Sequence, residues 1–141
     1  IEAIYSFLHW DQDHRAIIVG AGNLGTALLG YAEFPKRGLN IVGAFDVDAA
    51  KVGGEINGTP VYPLAELPKQ LPALNCSMAI LTVPSTSAQD VANLLIDSGI
   101  RAIWNFTNVK LKVPPGVIVQ KEDLSSGYAV LSVKIRKLYD E

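Results

Sequence analysis

The sequence predicts an α/β chain built on a doubly wound, mostly parallel sheet. Three observations predict it. Short apolar runs alternate with stretches of helical period over most of the 141 residues. The first clear run, residues 16–19, is apolar at every position, as a strand buried on both faces requires. That run ends in a Gly-x-Gly-x-x-Gly turn, Gly20-Ala21-Gly22-Asn23-Leu24-Gly25, which passes directly into a helical pattern.

In chain order, residues 1–10 form a short amphipathic helix, with Ile1, Ile4, Tyr5 and Leu8 on one stripe, and the polar residues 11–14 form a hinge. Strand 16–19 is followed by a helix over 24–31, broken at Pro35–Gly38. A second strand covers 39–45 and ends at Asp46. Val61-Tyr62 is a short extended piece between prolines, and a weak helix covers 64–71. A third strand runs over 78–83 and is closed by Pro84. The clearest helix follows: Ala88, Val91, Ala92 and Leu95 share one face, Ser85, Thr86 and Ser87 offer N-caps, and Gly99 ends it. Strands over 102–106 and 117–119 flank the turn at Pro114-Pro115-Gly116. A last helix covers 124–139, where Leu124, Tyr128, Leu131, Ile135 and Leu138 form the seam of a helix packed on another helix, either on its own sheet or in a second subunit. The expected organisation is a linker helix and hinge over 1–14, a Rossmann-type dinucleotide-binding domain over 15–122 and a dimerisation helix over 123–141.

Composition narrows the function. There are 12 basic and 14 acidic residues, a net charge of −2, so the chain has no general attraction for a phosphate backbone. No apolar run is long enough to span a bilayer. The single cysteine, Cys76, cannot form an internal disulfide and reads as a small core residue, which suits a cytoplasmic protein. The chain lacks an initiator methionine, and a fragment of a longer protein is expected.

The glycine turn stands in the context that a dinucleotide site requires, with a strand before it and a helix after it. Gly20 permits the tight turn, Gly22 leaves a pyrophosphate unobstructed, and Gly25 lets helix and strand pack closely. Amides of Ala21, Asn23 and Leu24 lie in the same turn. Asp46 follows about twenty residues later, where a carboxylate accepts hydrogen bonds from both adenosine ribose hydroxyls and repels a 2′-phosphate. Val47 lies beside it, and Lys51 is the nearest cation. This favours NAD over NADP. Two further strand ends, Thr82-Val83-Pro84 and Asn105-Phe106, complete the candidate site. They are mostly apolar, and an apolar pocket prefers the uncharged nicotinamide of NADH to the cationic ring of NAD+. Two alternatives remain open: a glycine turn used only for packing, and coenzyme A as the ligand.

Nothing supplies a catalytic acid or base at that edge. His9 and His14 precede the first strand, and there is no Tyr-x-x-x-Lys pair, metal-ligand cluster or Gly-x-Ser-x-Gly. Few residues remain for a substrate domain. The expectation is a binder that does not turn its ligand over, with the nucleotide half of a dehydrogenase as the alternative.

The stretches VGAGNLGTALLGY, GAFDVD, AILTVPSTSAQDVANLLIDSGIRAIWNF and VIVQKEDLS together resemble the Rex family of redox-sensing transcriptional repressors. The resemblance implies a homodimer, with an N-terminal winged helix on operator DNA and a C-terminal NAD(H)-binding domain. It implies that NADH binding closes the dimer and releases the DNA, and that the last helix is swapped between subunits. It places Tyr31 near the nicotinamide as a residue that changes partners. It also places Asp123 at the dimer interface, pairing with that tyrosine or with an arginine of the winged helix. The winged helix itself is absent from the sequence, and the family's NF-x-P stretch reads Asn105-Phe106-Thr107-Asn108.

Overall fold

The computed structural model describes residues 14–36, 38–76 and 78–121. Helix 1–10, hinge residues 11–13, Asp123 and helix 124–139 lie outside the described residues.

The chain runs β1 (His14–Val19), α1 (Asn23–Leu29), α2 (Glu33–Lys36), β2 (Leu39–Asp46), β3 (Glu55–Ile56), β4 (Thr59–Pro63), α3 (Leu67–Leu74), β5 (Met78–Leu81), α4 (Ala88–Asp97), β6 (Ala102–Asn105) and β7 (Ile118–Lys121). Single 3-10 turns at Leu64–Glu66 and Ser85–Ser87 lead into α3 and α4. The strands form one sheet of seven in the order β3-β4-β2-β1-β5-β6-β7. Every pairing is parallel except β3 with β4. This is the doubly wound Rossmann-type architecture. The chain winds outward from β1 in both directions, so β1 and β5 flank the switch point where such sheets bind ligands.

Alternation along the strands divides the core between the two faces. Ile17 and Val19 of β1, Ala79 and Leu81 of β5 and Ile103 of β6 face α3 and α4, where Leu67, Leu71, Val91, Ala92 and Leu95 cover them. Ala16, Ile18, Met78, Ile80 and Trp104 face the other way, under Leu28 of α1 and Phe34 of α2. Residues 16–19 of β1 and all of β5 are apolar at every position because both of their faces are buried.

Several expected boundaries move, each for a local reason. His14 is the first residue of β1 rather than hinge, its N–H donating to the Gly38 carbonyl at 2.7 Å. Helix α1 stops at Leu29, which leaves Tyr31 beyond its end. Residues 33–36 make a helical turn of their own, with Pro35 near its start, where a missing N–H costs nothing. The piece at Val61-Tyr62 is the middle of β4, a full parallel partner of β2. It is preceded by a hairpin whose turn, Asn57-Gly58, has positive φ at both residues, 51° and 82°. None of Ser85, Thr86 or Ser87 makes a side-chain cap at α4. The 3-10 turn satisfies the helix entry instead, with the Ser87 N–H donating to the Pro84 carbonyl. Cys76 is half-buried at the edge of the core rather than inside it.

A candidate dinucleotide cleft at the switch point

The head of β1 opens into a cleft of about 570 Å3, the size of a typical small-ligand pocket. Its floor is Gly20 and Gly22. One wall is the end of β2, with Asp46, Val47, Asp48 and Lys51, and the other is the end of β5, with Thr82, Val83 and Pro84. Leu64, Ser87 and Val91 close the back.

The three glycines have distinct structural reasons. Gly20 has φ +101°, and a Cβ there would lie 2.8 Å from the Thr82 carbonyl oxygen. A Cβ on Gly25 would lie 2.0 Å from the Gly20 carbonyl oxygen, so helix and loop are in backbone contact. A Cβ on Gly22 would meet nothing within 4 Å. The first two glycines are required by the fold. The third, Gly22, keeps open a space that no other described residue fills.

The loop between these glycines is held from several directions. Asp46 Oδ2 accepts from the Ala21 N–H at 2.6 Å, and Oδ1 from the Asp48 N–H at 2.8 Å. Lys51 Nζ and Thr26 Oγ1 both donate to the Ala21 carbonyl, at 2.7 and 3.1 Å. Thr82 Oγ1 donates to the Gly20 carbonyl at 2.5 Å and lies 3.1 Å from the Val19 carbonyl. The peptides on both sides of Ala21 are therefore fixed with the cleft open, so little backbone order has to be acquired when a ligand arrives.

The structure divides the residues expected from the sequence. Gly20, Gly22, Asp46, Val47, Thr82, Val83 and Pro84 meet around the cleft, with Val47 81% exposed at its rim. Ala21 is fully buried and contributes only its backbone, and Gly25 lies beneath the loop. Asn23 is exposed at the start of α1, and Leu24 packs on the opposite face of the sheet. Asn105 is fully buried, which removes its side chain from the cleft: Nδ2 donates to the Val109 carbonyl at 2.8 Å, and Oδ1 accepts from the N–H and hydroxyl of Thr107. It shapes the chain that leaves β6. Gln89 pins the same segment to α4 through both atoms of its amide, paired with the N–H and carbonyl of Lys112.

Tyr31 and Phe106 lie across the sheet from the α3 and α4 layer. They close the two ends of an aromatic row, Tyr31–Phe34–Trp104–Phe106, with neighbouring ring centroids 4.9, 5.8 and 4.8 Å apart. Sequence reasoning missed this row and the apolar back wall of Leu64 and Val91. Leu64 was detectable in principle, because it directly follows the end of a parallel strand, where ligands sit.

Comparison with known proteins agrees with this fold. A family model described as "CoA binding domain" matches residues 11–109. A solved Rex-family repressor, RSP, superposes with a TM-score of 0.81 at 33% identity over 98% of this chain. The same protein in complex with β-NADH gives 0.81, and the match covers 68% of its chain. The chain belongs to the Rex family. Curated Rex proteins are similar along nearly its whole length. The redox-sensing transcriptional repressor Rex of Treponema denticola is 53% identical over 133 residues, which is 94% of this chain and 63% of the relative. That of Caldicellulosiruptor saccharolyticus is 40% identical over 136 residues, 96% of this chain and 62% of the relative. The chain thus spans somewhat less than two thirds of these Rex relatives. RSP has also been solved with β-NAD+ and operator DNA, at 33% identity and a TM-score of 0.80. A UDP-D-quinovosamine 4-dehydrogenase of Vibrio fischeri, at 19% identity and TM-score 0.58, shares the fold alone. No helix among the described residues is long and apolar enough to cross a membrane.

Proposed function

We propose that this chain is the NADH-binding, redox-sensing part of a transcriptional repressor that responds to the NADH/NAD ratio. The observation that carries the reading is the pairing of Asp46 with Gly22: a carboxylate at one end of the cleft and an unfilled space over the glycine loop at the other. Asp46 would accept the adenosine ribose hydroxyls, with Val47 against the adenine. The diphosphate would lie over Gly20-Ala21-Gly22, near the amides of Asn23 and Leu24. The nicotinamide end would lie toward Thr82, Val83 and Pro84. When bound, the coenzyme supplies a ring whose charge differs between its two redox states. The protein's part is to bind one state better. Val19, Leu64, Val83, Pro84 and Val91 make an apolar lining, and an uncharged ring leaves water for it at lower cost than a cationic one.

The proposal includes no turnover. The cleft offers Asp46, Asp48 and Lys51 as its titratable side chains, and the lysine and Asp46 are engaged with the loop. His14 is at the opposite end of β1. In the whole protein, we read residues 15–122 as the sensor and 123–141 as a dimerisation helix, working as a homodimer in the cytoplasm. A winged helix preceding the sensor would hold the operator, and NADH would release it. Tyr31 and Asp123 would carry the switch between the two forms.

Coenzyme A is the second reading, favoured by the description of the matching family model. Its adenosine ribose carries a 3′-phosphate, which would face the Asp46 carboxylate. Like charges at hydrogen-bonding distance are strongly unfavourable in a partly dry cleft, so Asp46 favours the dinucleotide. Calorimetric titration with NADH, NAD+, NADPH and coenzyme A tests the proposal. NADH should bind tightest and NAD+ more weakly, with the two phosphorylated riboses weakest. Coenzyme A binding as tightly as NADH would overturn it.

A further inference from the structure

Lys51 is the one basic side chain among the described residues lining the cleft, which also holds two carboxylates, Asp46 and Asp48. Its position is built rather than incidental. Asp48 Oδ1 accepts from the Ala50 N–H at 2.9 Å and the Asp48 carbonyl from the Lys51 N–H at 3.0 Å, a tight turn that throws the lysine back over the end of β2. The ammonium then reaches the Ala21 carbonyl at 2.7 Å, while Asp46 holds the N–H of the same residue at 2.6 Å. Anion and cation thus grip opposite sides of Ala21, and the carboxylate is the one that the ribose would meet.

We propose that Lys51 is a specificity-determining residue: tethered to the Ala21 carbonyl, it is withheld from ligand phosphate, and this tether together with Asp46 sets the preference for an adenosine ribose without a 2′-phosphate. The inference rests on the dinucleotide reading of the cleft. With both carboxylates present the ligand-facing charge at this end is net negative, and a 2′-phosphate is repelled. Removing the charge of Asp46 changes the balance. The ammonium is then balanced only by Asp48, which also lines the cleft; it sits on a flexible four-carbon stem, and exchanging a carbonyl for a phosphate gives it the stronger, charge-assisted hydrogen bond. The cleft therefore contains its own latent phosphate-binding cation, held in check by its neighbour and its tether.

The test uses Asp46→Asn, Lys51→Met and the double variant, each titrated with NADH and NADPH by calorimetry, with thermal melting as a check of folding. Asparagine keeps an oxygen for the Ala21 N–H, which holds the glycine loop, and gives up the bond from the Asp48 N–H. Asp46→Asn should lower the preference for NADH over NADPH at least tenfold, chiefly by strengthening NADPH, and that NADPH binding should weaken steeply with added salt. Adding Lys51→Met should reverse the NADPH gain at least fivefold while NADH binding changes less. Equal NADPH affinity in the single and double variants, or no NADPH gain in Asp46→Asn, would overturn the role of Lys51 while leaving the NADH site standing. A wild-type protein that ignores NADH would instead remove the dinucleotide reading itself.

Discussion

One added methyl group at Gly25 should damage the fold, and one at Gly22 should damage only binding. At Gly25 the new carbon would lie 2.0 Å from the Gly20 carbonyl oxygen, 3.1 Å from its carbon and 3.0 Å from Thr82 Oγ1. Non-bonded heavy atoms need roughly 3.5 Å, so α1 has to withdraw by more than about 1 Å. The obstacle is backbone and cannot rotate away, which puts the strain at the upper end of the usual overpacking range of about 1–3 kcal/mol. Alanine recovers up to about 1 kcal/mol of helix propensity. The net loss is about 2 kcal/mol, a fall in melting temperature of roughly 6–10 °C for a domain of this size. At Gly22, φ is −76° and ψ −158°, an extended conformation open to alanine, and no atom lies within 4 Å. Gly22→Ala should leave stability unchanged or raise it by about 0.4–1 kcal/mol, because the unfolded chain loses freedom. The methyl group occupies the space proposed for the diphosphate, and NADH should bind at least tenfold more weakly, about 1.4 kcal/mol. Thermal melting of the ligand-free variants and NADH titration read the two effects separately. A Gly25→Ala protein that melts with the wild type, or a Gly22→Ala protein that binds NADH normally, would refute the reasoning.

Other predictions follow from the same contacts. Asp46→Ala removes the proposed ribose acceptor and strands the buried Ala21 N–H; calorimetry should show NADH weakened by about 1–3 kcal/mol, and chemical denaturation a stability loss of similar size. Leu95→Ala truncates a fully buried side chain of α4 against the sheet and should cost about 2–5 kcal/mol by urea denaturation; a loss under about 1 kcal/mol would mean that this face is less tightly packed than described. Burial pushes the Cys76 thiol up from 9.0 to about 11, partly opposed by the Arg15 guanidinium. The thiol should therefore alkylate slowly at neutral pH, with a rate that keeps rising past pH 9; a plateau near pH 9 would contradict its burial. Since the folded protein favours the neutral thiol, this contribution to stability is complete below about pH 9 and is lost as the pH rises toward 11.

The sequence by itself determined the fold class and pointed to half of the residues that line the candidate site. An apolar strand, three spaced glycines and an aspartate at the end of the next strand are local patterns, and local patterns survive in one dimension. The Asn57-Gly58 turn was equally local, and it is the signal by which the β3–β4 hairpin could have been found. Only the tertiary structure decided which side of the sheet each strand-end residue serves. It set Tyr31 and Phe106 at the ends of an aromatic row on one face, and sealed Asn105 inside its own loop. It also drew Asp46 and Lys51 from the end of β2 and Thr82 from the end of β5 onto the peptides around Ala21. Those contacts join residues 25 to 62 positions apart, and their geometry follows from strand order and the handedness of the crossovers, which no short window of sequence contains.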